Sequence, residues 1–508
     1  MRTSRLLGLL LTLLGVFPVL VLADSPFLEA KSDALDSGVL KQRRQIEVYL
    51  PAESAKNADA HYETLYVLDG DGNTHLVVDV ISFLRQVGMV PPLIVVSVPN
   101  VVDEHGENSR NRDLTPTVAA EQARSGGAAD FLAFLKTELI PYVDAHYPSN
   151  HVRLIHGHSY GGLFLIYALL HDPNLFDGYL VLDPALRWDN HALDSALDAQ
   201  LADTPTQGKA IYIAGRVGSA FEGMGIASAS TIFEHRAPRD LHWKIVAYPG
   251  ETHESLKLKA TYDALRYAYQ GYTGDTTHFV PTGGTLIAGK PMFVTIDDGG
   301  FDRLDLHYST DGTTPTETSP KADGPFAVSD PERTTVKLLS NRGVFDRVIP
   351  LNLRSGKAIP PARGSQETPD WQIAYYAAEA WPVIRRAPPF KTAASDGRLD
   401  FSAVGRDAFA GTITRNVAIP ADGYYVLGVV TSDKARVSIA GNPLFEQDGS
   451  RGTPYEAFVE PLQHGIYPVR VDFLHATKGS QLQFIVCQVK DGEAEWLKNE
   501  IVKFTSTP

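Results

Sequence analysis

Short apolar runs alternate with longer helical segments through the first half of the chain, and this alternation constrains the fold more than any other feature. The runs are rich in Val, Ile and Leu, and helical periods occur at 128–144 and 255–269. The runs lie at 65–68, 93–98, 152–156, 179–182, 210–214 and 243–248. Parallel strands buried on both faces have this composition and are connected by helices. Residues 24–275 are therefore predicted to form an α/β domain around a mostly parallel central sheet.

The second half of the chain is predicted to be all-β. Residues 276–356 show two-residue alternation broken by Gly, Pro and Asp-Gly, which indicates a small Ig-like β-domain. Residues 357–370 are rich in Pro, Gly and Ser and are typical of a linker. Alternation returns over 371–508, which indicates a β-sandwich. The expected fold class is α/β, followed by two all-β domains.

The N-terminus has the pattern of a secretory signal peptide. Arg2 and Arg5 precede an apolar run at 6–22, and small residues end at Ala23. An uncleaved anchor is the alternative, but the run is short for a membrane span. We expect residues 1–23 to be removed and the mature protein to be exported and soluble, with no membrane span after cleavage.

The composition indicates the cellular location of the protein and argues against nucleic acid as a partner. The single cysteine, Cys487, excludes an intramolecular disulfide and is expected to be a core thiol. Because disulfides are common in secreted eukaryotic chains, the presence of only one cysteine in this chain favours a bacterial periplasmic or secreted protein. The net charge of −14 disfavours nucleic acid as a partner.

A serine lies at a predicted strand-to-helix corner in the pentapeptide Gly-His-Ser-Tyr-Gly at 157–161. Such a corner lifts the hydroxyl out of the sheet and places it beside the N-terminus of a helix. Ser159 is the candidate nucleophile. The N–H of Tyr160 is one candidate oxyanion donor, and the second is expected at Gly70 or Asp71 in "LYVLDGDGN".

A serine nucleophile needs a base, and in this fold the base follows a late strand. His253 fits, because it follows the apolar run at 243–248 and a Pro-Gly loop. The orienting acid is expected between the serine and this histidine. Glu222 is the first candidate, Asp183 the alternative and Asp240 a weaker third. A Ser–His dyad without an acid is also open.

The region 40–270 resembles the bacterial esterase family of α/β-hydrolases that includes enterobactin-type siderophore esterases and feruloyl esterases. The resemblance is carried, in order, by "LYVLDGDG", "PPLIVVSVPN", "NRDLTPT", "FLKTELIPYVDAHY", "GHSYGGLFLIYALLHDPNLFDGYLVLDPALRWDN" and "YPGETHES". It implies an α/β-hydrolase fold, with Ser159 as nucleophile and His253 as base. The family usually has a serine where this chain has Asp183, so the resemblance leaves the acid open.

The resemblance also suggests residues that line the substrate cleft. Arg112 and Asp113 of "NRDLTPT" match a segment that borders the family's cleft, although a loop-fixing ion pair is an equal alternative. Trp188 is a candidate for the pocket wall or a packed aromatic. His156 and His158 are interpreted as supporting residues, and His158 is also a candidate substrate contact.

The two β-regions resemble modules of carbohydrate-active proteins. "LHYSTDGTTPT" is similar to the small chitobiase-type C-terminal β-domain, and 371–508 resembles the anthrax protective-antigen family of sugar-binding sandwiches. Calcium-dependent members of that family use two adjacent aspartates. This chain has Ser432 and Asp433 there, so no metal is expected. Both modules are expected to bind carbohydrate, with rigid spacing as the alternative.

These observations predict an exported serine carboxylester hydrolase that needs no cofactor. Its substrate is expected to be an acetyl or feruloyl ester on a carbohydrate. A siderophore ester of the enterobactin type is the alternative substrate. Acyl transfer by the same residues is a further alternative, as is a carbohydrate-binding surface protein whose hydrolase domain is inactive.

Overall fold

The structure, a computed structural model, divides into two compact units, Met1–Tyr269 and Gln270–Pro508. The residues that it describes are 26–102, 106–122, 124–272, 277–297, 304–377, 381, 388–448, 455–476, 481–493 and 495–507. The predicted signal peptide, 1–23, lies outside them. Among the described residues, no helix has both the length and the apolar character that a bilayer crossing requires.

The first unit is built on one eight-stranded sheet in the order β1-β2-β4-β3-β5-β6-β7-β8. Its strands are β1 (Lys31–Ser37), β2 (Gln42–Tyr49), β3 (Tyr62–Leu68), β4 (Leu93–Val98), β5 (Ser149–His158), β6 (Gly178–Leu182), β7 (Ala210–Arg216) and β8 (His242–Tyr248). Strands β3 to β8 pair with one another in parallel, while β2 pairs antiparallel with β4, and β1 antiparallel with β2 at the edge. The mostly parallel sheet is therefore confirmed, and every predicted apolar run lies in a strand.

Helices cover this sheet. In the described part of the unit they are α1 (Gly70–Gln86), α2 (Arg110–Asp113), α3 (Ala128–Phe134), α4 (Ile140–His146), α5 (Tyr160–His171), α6 (Trp188–His191), α7 (Asp194–Gln200), α8 (Ser219–Gly223), α9 (Ile226–Arg236) and α10 (Leu256–Ala268). A π-helical turn at Leu135–Leu139 joins α3 to α4, so the helical period over 128–144 is realised as one continuous run. Helix α5 is the most apolar, and its residues from Gly161 to Leu170 are all buried.

The parallel strands place several chain reversals at one edge of the sheet. Ser159 follows β5, Asp183 follows β6, Arg216 ends β7, and the loop with His253 follows β8. Strands β5 to β8 are neighbours in that order. Because the carboxyl ends of parallel strands share an edge, these four residues come together although the chain separates them.

The second unit is built from strands. They are β9 (His278–Val280), β10 (Gly283–Leu286), β11 (Met292–Asp297), β12 (Asp305–Ser309), β13 (Phe326–Val328), β14 (Thr335–Leu339), β15 (Arg347–Ile349), β16 (Leu353–Ser355), β17 (Trp371–Ala377), β18 (Lys391–Ser395), β19 (Arg398–Asp400), β20 (Phe409–Ile419), β21 (Gly423–Thr431), β22 (Lys434–Ile439), β23 (Asn442–Gln447), β24 (Tyr455–Leu462), β25 (Gly465–His475), β26 (Leu482–Val489) and β27 (Glu500–Thr507). A six-stranded and a seven-stranded sheet form a sandwich. Trp371 of the first packs edge-on against Phe484 and Phe504 of the second, with ring centroids 5.9 and 5.1 Å apart.

The second unit is all-β, as expected, and its two regions, 276–356 and 371–508, are joined through a shared sheet, although the sandwich keeps a core cluster of its own. Strands β16 and β10 continue the sheet of the sandwich in the order β16-β10-β24-β21-β26-β27-β19. Met292 and Val294 of the middle region also pack in one core cluster with Val426 and Val459. The alternation along the chain predicts strands but does not say which strand each one pairs with.

The segment 357–370, expected as a linker, is attached to the sandwich. The N–H of Ile359 donates to the carbonyl of Pro461, and that of Ala362 to Ile466, at 2.8 and 3.0 Å. Cys487 lies fully buried in β26, and burial raises the pKa of its thiol to about 12, as expected of a core thiol.

Candidate active site

The serine corner has the strained backbone that the sequence predicts. Ser159 has φ 61° and ψ −114°, a conformation with positive φ, outside the left-handed helical region, that residues other than glycine rarely adopt. It separates the end of β5 from the start of α5. A methyl group at Gly157 would lie 2.5 Å from the carbonyl carbon of Gly161, so the first turn of the helix packs directly on the strand. The corner therefore presents the hydroxyl at the edge of the sheet.

His253 is held by a buried carboxylate. Its Nδ1 lies 2.7 Å from Oδ2 of Asp183, whose side chain is fully buried. Because a carboxylate only accepts, Nδ1 carries the proton, and Nε2 has a lone pair that can take another. Burial opposes ionisation of Asp183, but hydrogen bonds from His253 and Arg216 outweigh burial and hold the pKa of this carboxyl below its ordinary value.

The carboxylate that contacts His253 is that of Asp183, which the sequence offers as the alternative to Glu222. Glu222 lies on α8, where its side chain is exposed to solvent. The end of β7 supplies Arg216 instead, whose Nε donates to Asp183 Oδ2 at 2.6 Å. Asp240 precedes β8, at the opposite edge of the sheet, and accepts from the hydroxyl of Thr206 at 2.7 Å.

His158 ties the histidine loop to the serine corner. Its Nε2 donates to the backbone carbonyl of His253 at 2.8 Å, and the two imidazole rings lie 4.3 Å apart between centroids. Burial and the neighbouring His253 lower the pKa of His158 to about 4, so the ring is neutral at neutral pH. Because His158 directly precedes Ser159, this bond places residue 253 beside the candidate nucleophile. His158 is buried, as a supporting residue would be.

The other candidate oxyanion donors stand at the start of α1. Asp69 is in the left-handed conformation, with φ 51°, and the helix begins at Gly70. The carbonyl of Asp69 accepts from Gly72 and Asn73 at 2.9 and 3.1 Å. The N–H groups of Gly70 and Asp71 precede these bonds, in the part of a helix where donors have no acceptor within the helix.

The starts of α1 and α5 are adjacent. A methyl group at Gly161 would lie 3.5 Å from Oδ2 of Asp69. A methyl group at Gly70 would overlap the hydroxyl of Ser97, so only glycine fits there. The starts of α5 and α1, which carry the candidate donors Tyr160, Gly70 and Asp71, therefore lie close together.

Arg110 belongs to this site, although the sequence analysis did not select it. Its guanidinium donates to both oxygens of Asp69, at 2.7 and 2.9 Å, and lies 5.0 Å from the ring centre of Tyr160. The amide of Asn100 donates to the same carboxylate at 2.8 Å. Arg110 directly precedes the motif "NRDLTPT". That motif is the sequence feature that could have pointed to Arg110.

Arg112 and Asp113 form the ion pair that was the alternative interpretation. Arg112 Nε donates to Asp113 Oδ1 at 2.8 Å, and buried Arg44 contacts the other oxygen at 2.7 Å. Trp188 is a packed aromatic. Its ring meets that of Tyr160 edge-on at 5.2 Å, and its N–H donates to the hydroxyl of Thr117 at 3.1 Å.

One group of side chains here has the composition of a metal site. His158, His253 and Glu254 each bring a donor atom within 4.8 Å of the others. Both histidines already make hydrogen bonds, and Lys257 neutralises Glu254 at 2.7 Å. Those contacts account for the arrangement, so we assign no metal to it.

Comparison with known proteins identifies the domains. Residues 37–229 match the family described as "Putative esterase". The first unit is an esterase domain of this family. Residues 376–496 match the PA14 domain, and residues 294–344, expected as a chitobiase-type module, match the model described as "Fn3 associated". The chain is therefore a serine esterase with a PA14 domain.

Siderophore esterases are among the relatives of this esterase. The ferri-bacillibactin esterase BesA of Bacillus subtilis is 24% identical over 248 residues, which are 45% of this chain and 86% of BesA. A siderophore enterobactin esterase of Emericella nidulans is 28% identical over 172 residues, 29% of this chain and 55% of that protein. The crystal structure of an IroE-like serine hydrolase from Shewanella oneidensis matches with 28% identity and a TM-score of 0.45, covering 49% of this chain and 82% of that one.

Proposed function

We propose that the esterase works through an acyl-enzyme on Ser159, with His253 as base and Asp183 as the acid that orients it. One observation carries the assignment. His253 is bonded to a buried carboxylate through Nδ1 and held through its carbonyl by the residue before Ser159. An imidazole fixed at both points keeps one tautomer and one position.

The reaction then has two matched halves. Ser159 Oγ attacks the ester carbonyl and passes its proton to Nε2 of His253, while Asp183 stabilises the imidazolium. The N–H of Tyr160 and those of Gly70 and Asp71 bind the oxyanion. The alcohol leaves with the proton from His253. Water attacks the acyl-enzyme by the same route, the acid departs, and the serine is restored.

The test is hydrolysis of p-nitrophenyl acetate by the full chain. Ser159→Ala should lose activity by at least about a thousandfold, because the substitution removes the hydroxyl on which the acyl intermediate forms. A thermal melt checks that the variant is folded, and a fluorophosphonate probe should label the wild type only. Turnover by a folded Ser159→Ala protein would refute the assignment.

A siderophore ester is one candidate substrate, and it is supported by the relatives. The Emericella protein is a siderophore esterase by name, and BesA, by name a ferri-bacillibactin esterase, matches over most of its own length. An ester bound to a carbohydrate, of acetyl or feruloyl type, is the second candidate. It is supported by the PA14 match at 376–496, a domain that resembles sugar-binding sandwiches.

A binding assay separates the two candidates. Full-length Ser159→Ala protein should sediment with an insoluble polysaccharide if the substrate is a cell-wall ester. A siderophore esterase gains nothing from such binding. Rates on acetylated glycan, feruloylated glycan and a catecholate siderophore ester then rank the substrates, and products with an added alcohol acceptor report acyl transfer.

We also propose that the protein is exported to the periplasm or secreted. The basic and apolar N-terminus, 1–23, supports this. Expression of the whole chain in a bacterial host, followed by N-terminal sequencing of the released protein, should give a start at Asp24. A start at Met1 in the cytoplasmic fraction would contradict it.

A further inference from the structure

Arg216 contacts the acid of the site and has no role in the reaction described above. It is the last residue of β7, and its side chain is 23% exposed. Its Nε donates to Oδ2 of Asp183 at 2.6 Å, the same oxygen that accepts from His253 at 2.7 Å. The other oxygen, Oδ1, is buried and has no hydrogen-bond partner among the residues that the structure describes. Both donors therefore share one carboxylate oxygen.

We propose that Arg216 is a positioning residue that determines how far the pH can fall before the esterase loses activity. It holds the shared oxygen of Asp183 towards His253, and its charge offsets part of the field of the carboxylate at the imidazole. The proposal rests on the catalytic assignment of Ser159, His253 and Asp183.

The geometry determines the direction in which Arg216 shifts the pH range of activity. A carboxylate alone stabilises the imidazolium and makes the histidine a base that stays protonated to higher pH. The bond lengths of 2.6 and 2.7 Å place Arg216 Nε no more than about 5 Å from His253 Nδ1. At that distance a permanent cation opposes protonation of the imidazole. The esterase should thus keep its base neutral, and stay active, at lower pH.

The other charged groups around His253 do not provide this offset. His158, from β5, is buried and neutral at neutral pH, since burial lowers its pKa. Glu254 lies beside His253 in the chain, and Lys257 of α10 pairs with it at 2.7 Å. Those two charges largely cancel. Arg216 is the described cation that acts on the imidazole through the catalytic carboxylate.

The experiment is the pH profile of kcat/KM for Arg216→Gln. The acid limb should move to higher pH by about one unit, which is about a tenfold loss at pH values below both midpoints, while the plateau changes less. Arg216→Lys keeps the charge and should recover part of the shift. Arg236→Gln is the matched control, because it removes an arginine from an exposed ion pair of the same unit and should leave the profile unchanged.

The outcomes separate this proposal from the one on which it rests. If Ser159→Ala is inactive and folded Arg216→Gln has the wild-type midpoint, the role of Arg216 is refuted and the catalytic assignment stands. If Ser159→Ala is active, the assignment itself fails. The pH dependence of fluorophosphonate labelling gives the same midpoint without turnover, and a shift there restricted to Arg216→Gln would support the proposal.

Discussion

Replacing Asp183 by asparagine tests whether the two donors on its shared oxygen control the reaction. Asparagine is isosteric but has one acceptor oxygen and one NH₂ group. Arg216 Nε and His253 Nδ1 both donate to the Oδ2 position, so the carboxamide oxygen should occupy that position and the NH₂ group should take the place of Oδ1. His253 would then keep its tautomer and lose only the negative charge beside it.

The magnitude follows from that geometry. A unit charge pair at about 4 Å is worth about 4 kcal/mol at an effective dielectric constant of 20, and the partial exposure of His253 reduces this to about 2–3 kcal/mol. We therefore expect kcat/KM to fall by about 30- to 150-fold. If the amide instead turned its NH₂ group to His253, the wrong tautomer would cost about 10,000-fold. The NH₂ group without an acceptor should also lower the free energy of unfolding by about 1–3 kcal/mol.

The assay is steady-state hydrolysis of p-nitrophenyl acetate by Asp183→Asn at the plateau of its pH profile, with urea unfolding alongside. Arg216→Leu/Asp183→Asn removes the second donor and frees the amide to turn, so its activity should fall well below that of the single variant. A loss near 10,000-fold in Asp183→Asn itself, or no further loss in the double variant, would refute the argument from the shared oxygen.

Three further substitutions test contacts around the site. His158→Ala removes the bond to the carbonyl of His253 and should reduce kcat about tenfold with little change in KM, whereas His158→Gln, which keeps a donor, should retain more activity. Gly157→Ala forces a methyl group onto Gly161 and should lower the free energy of unfolding by about 1–3 kcal/mol in urea; unchanged stability would contradict the close packing of β5 and α5. His156 is fully buried, and burial lowers its pKa to about 3. Below about pH 6.5 the unfolded chain therefore binds a proton at this residue that the folded chain does not bind. Stability is therefore lost as the pH falls from about 6.5 towards 3, by up to about 1.4 kcal/mol per unit, and melts of His156→Gln should show a shallower decline over that range.

The sequence predicts those parts of the fold that depend on local pattern. The apolar runs of β3 to β7 mark strands that are mostly buried, whereas that of β8, at the sheet edge, is only partly buried; all of these runs are found in the sheet. Strands β1 and β2 escaped notice because they lie at the sheet edge and carry many polar residues. The corner at Ser159 is also local, because strand, turn and helix are consecutive, and its φ of 61° follows from that sequence.

The carboxylate that contacts His253 could not be predicted in the same way, because the contact depends on which strand end faces the histidine. Asp183 follows β6, the neighbour of β5. Glu222 follows β7, one strand farther from β5, and lies on the helical turn α8. Arg110 illustrates the same limit. It approaches the serine corner through its contact with Asp69, which lies 41 residues earlier in the chain. Partners of this kind are set by tertiary packing and leave no periodicity in the sequence.

The sheet shared by the middle region and the sandwich determines when the second unit can finish folding. Strand β10 pairs with β24, and Thr285 and Glu460 at this junction are 175 residues apart. Pairing between strands this far apart in the chain is slow, because the entropy cost of closing a long loop must be met before any stabilising contact forms. A growing chain must therefore extend beyond Val459 before β10 can pair with β24, although its other partner, β16, is made much earlier. Separating the middle region, 276–356, from the sandwich would therefore leave an open sheet edge on each part, because β10 and β24 would both lose a partner.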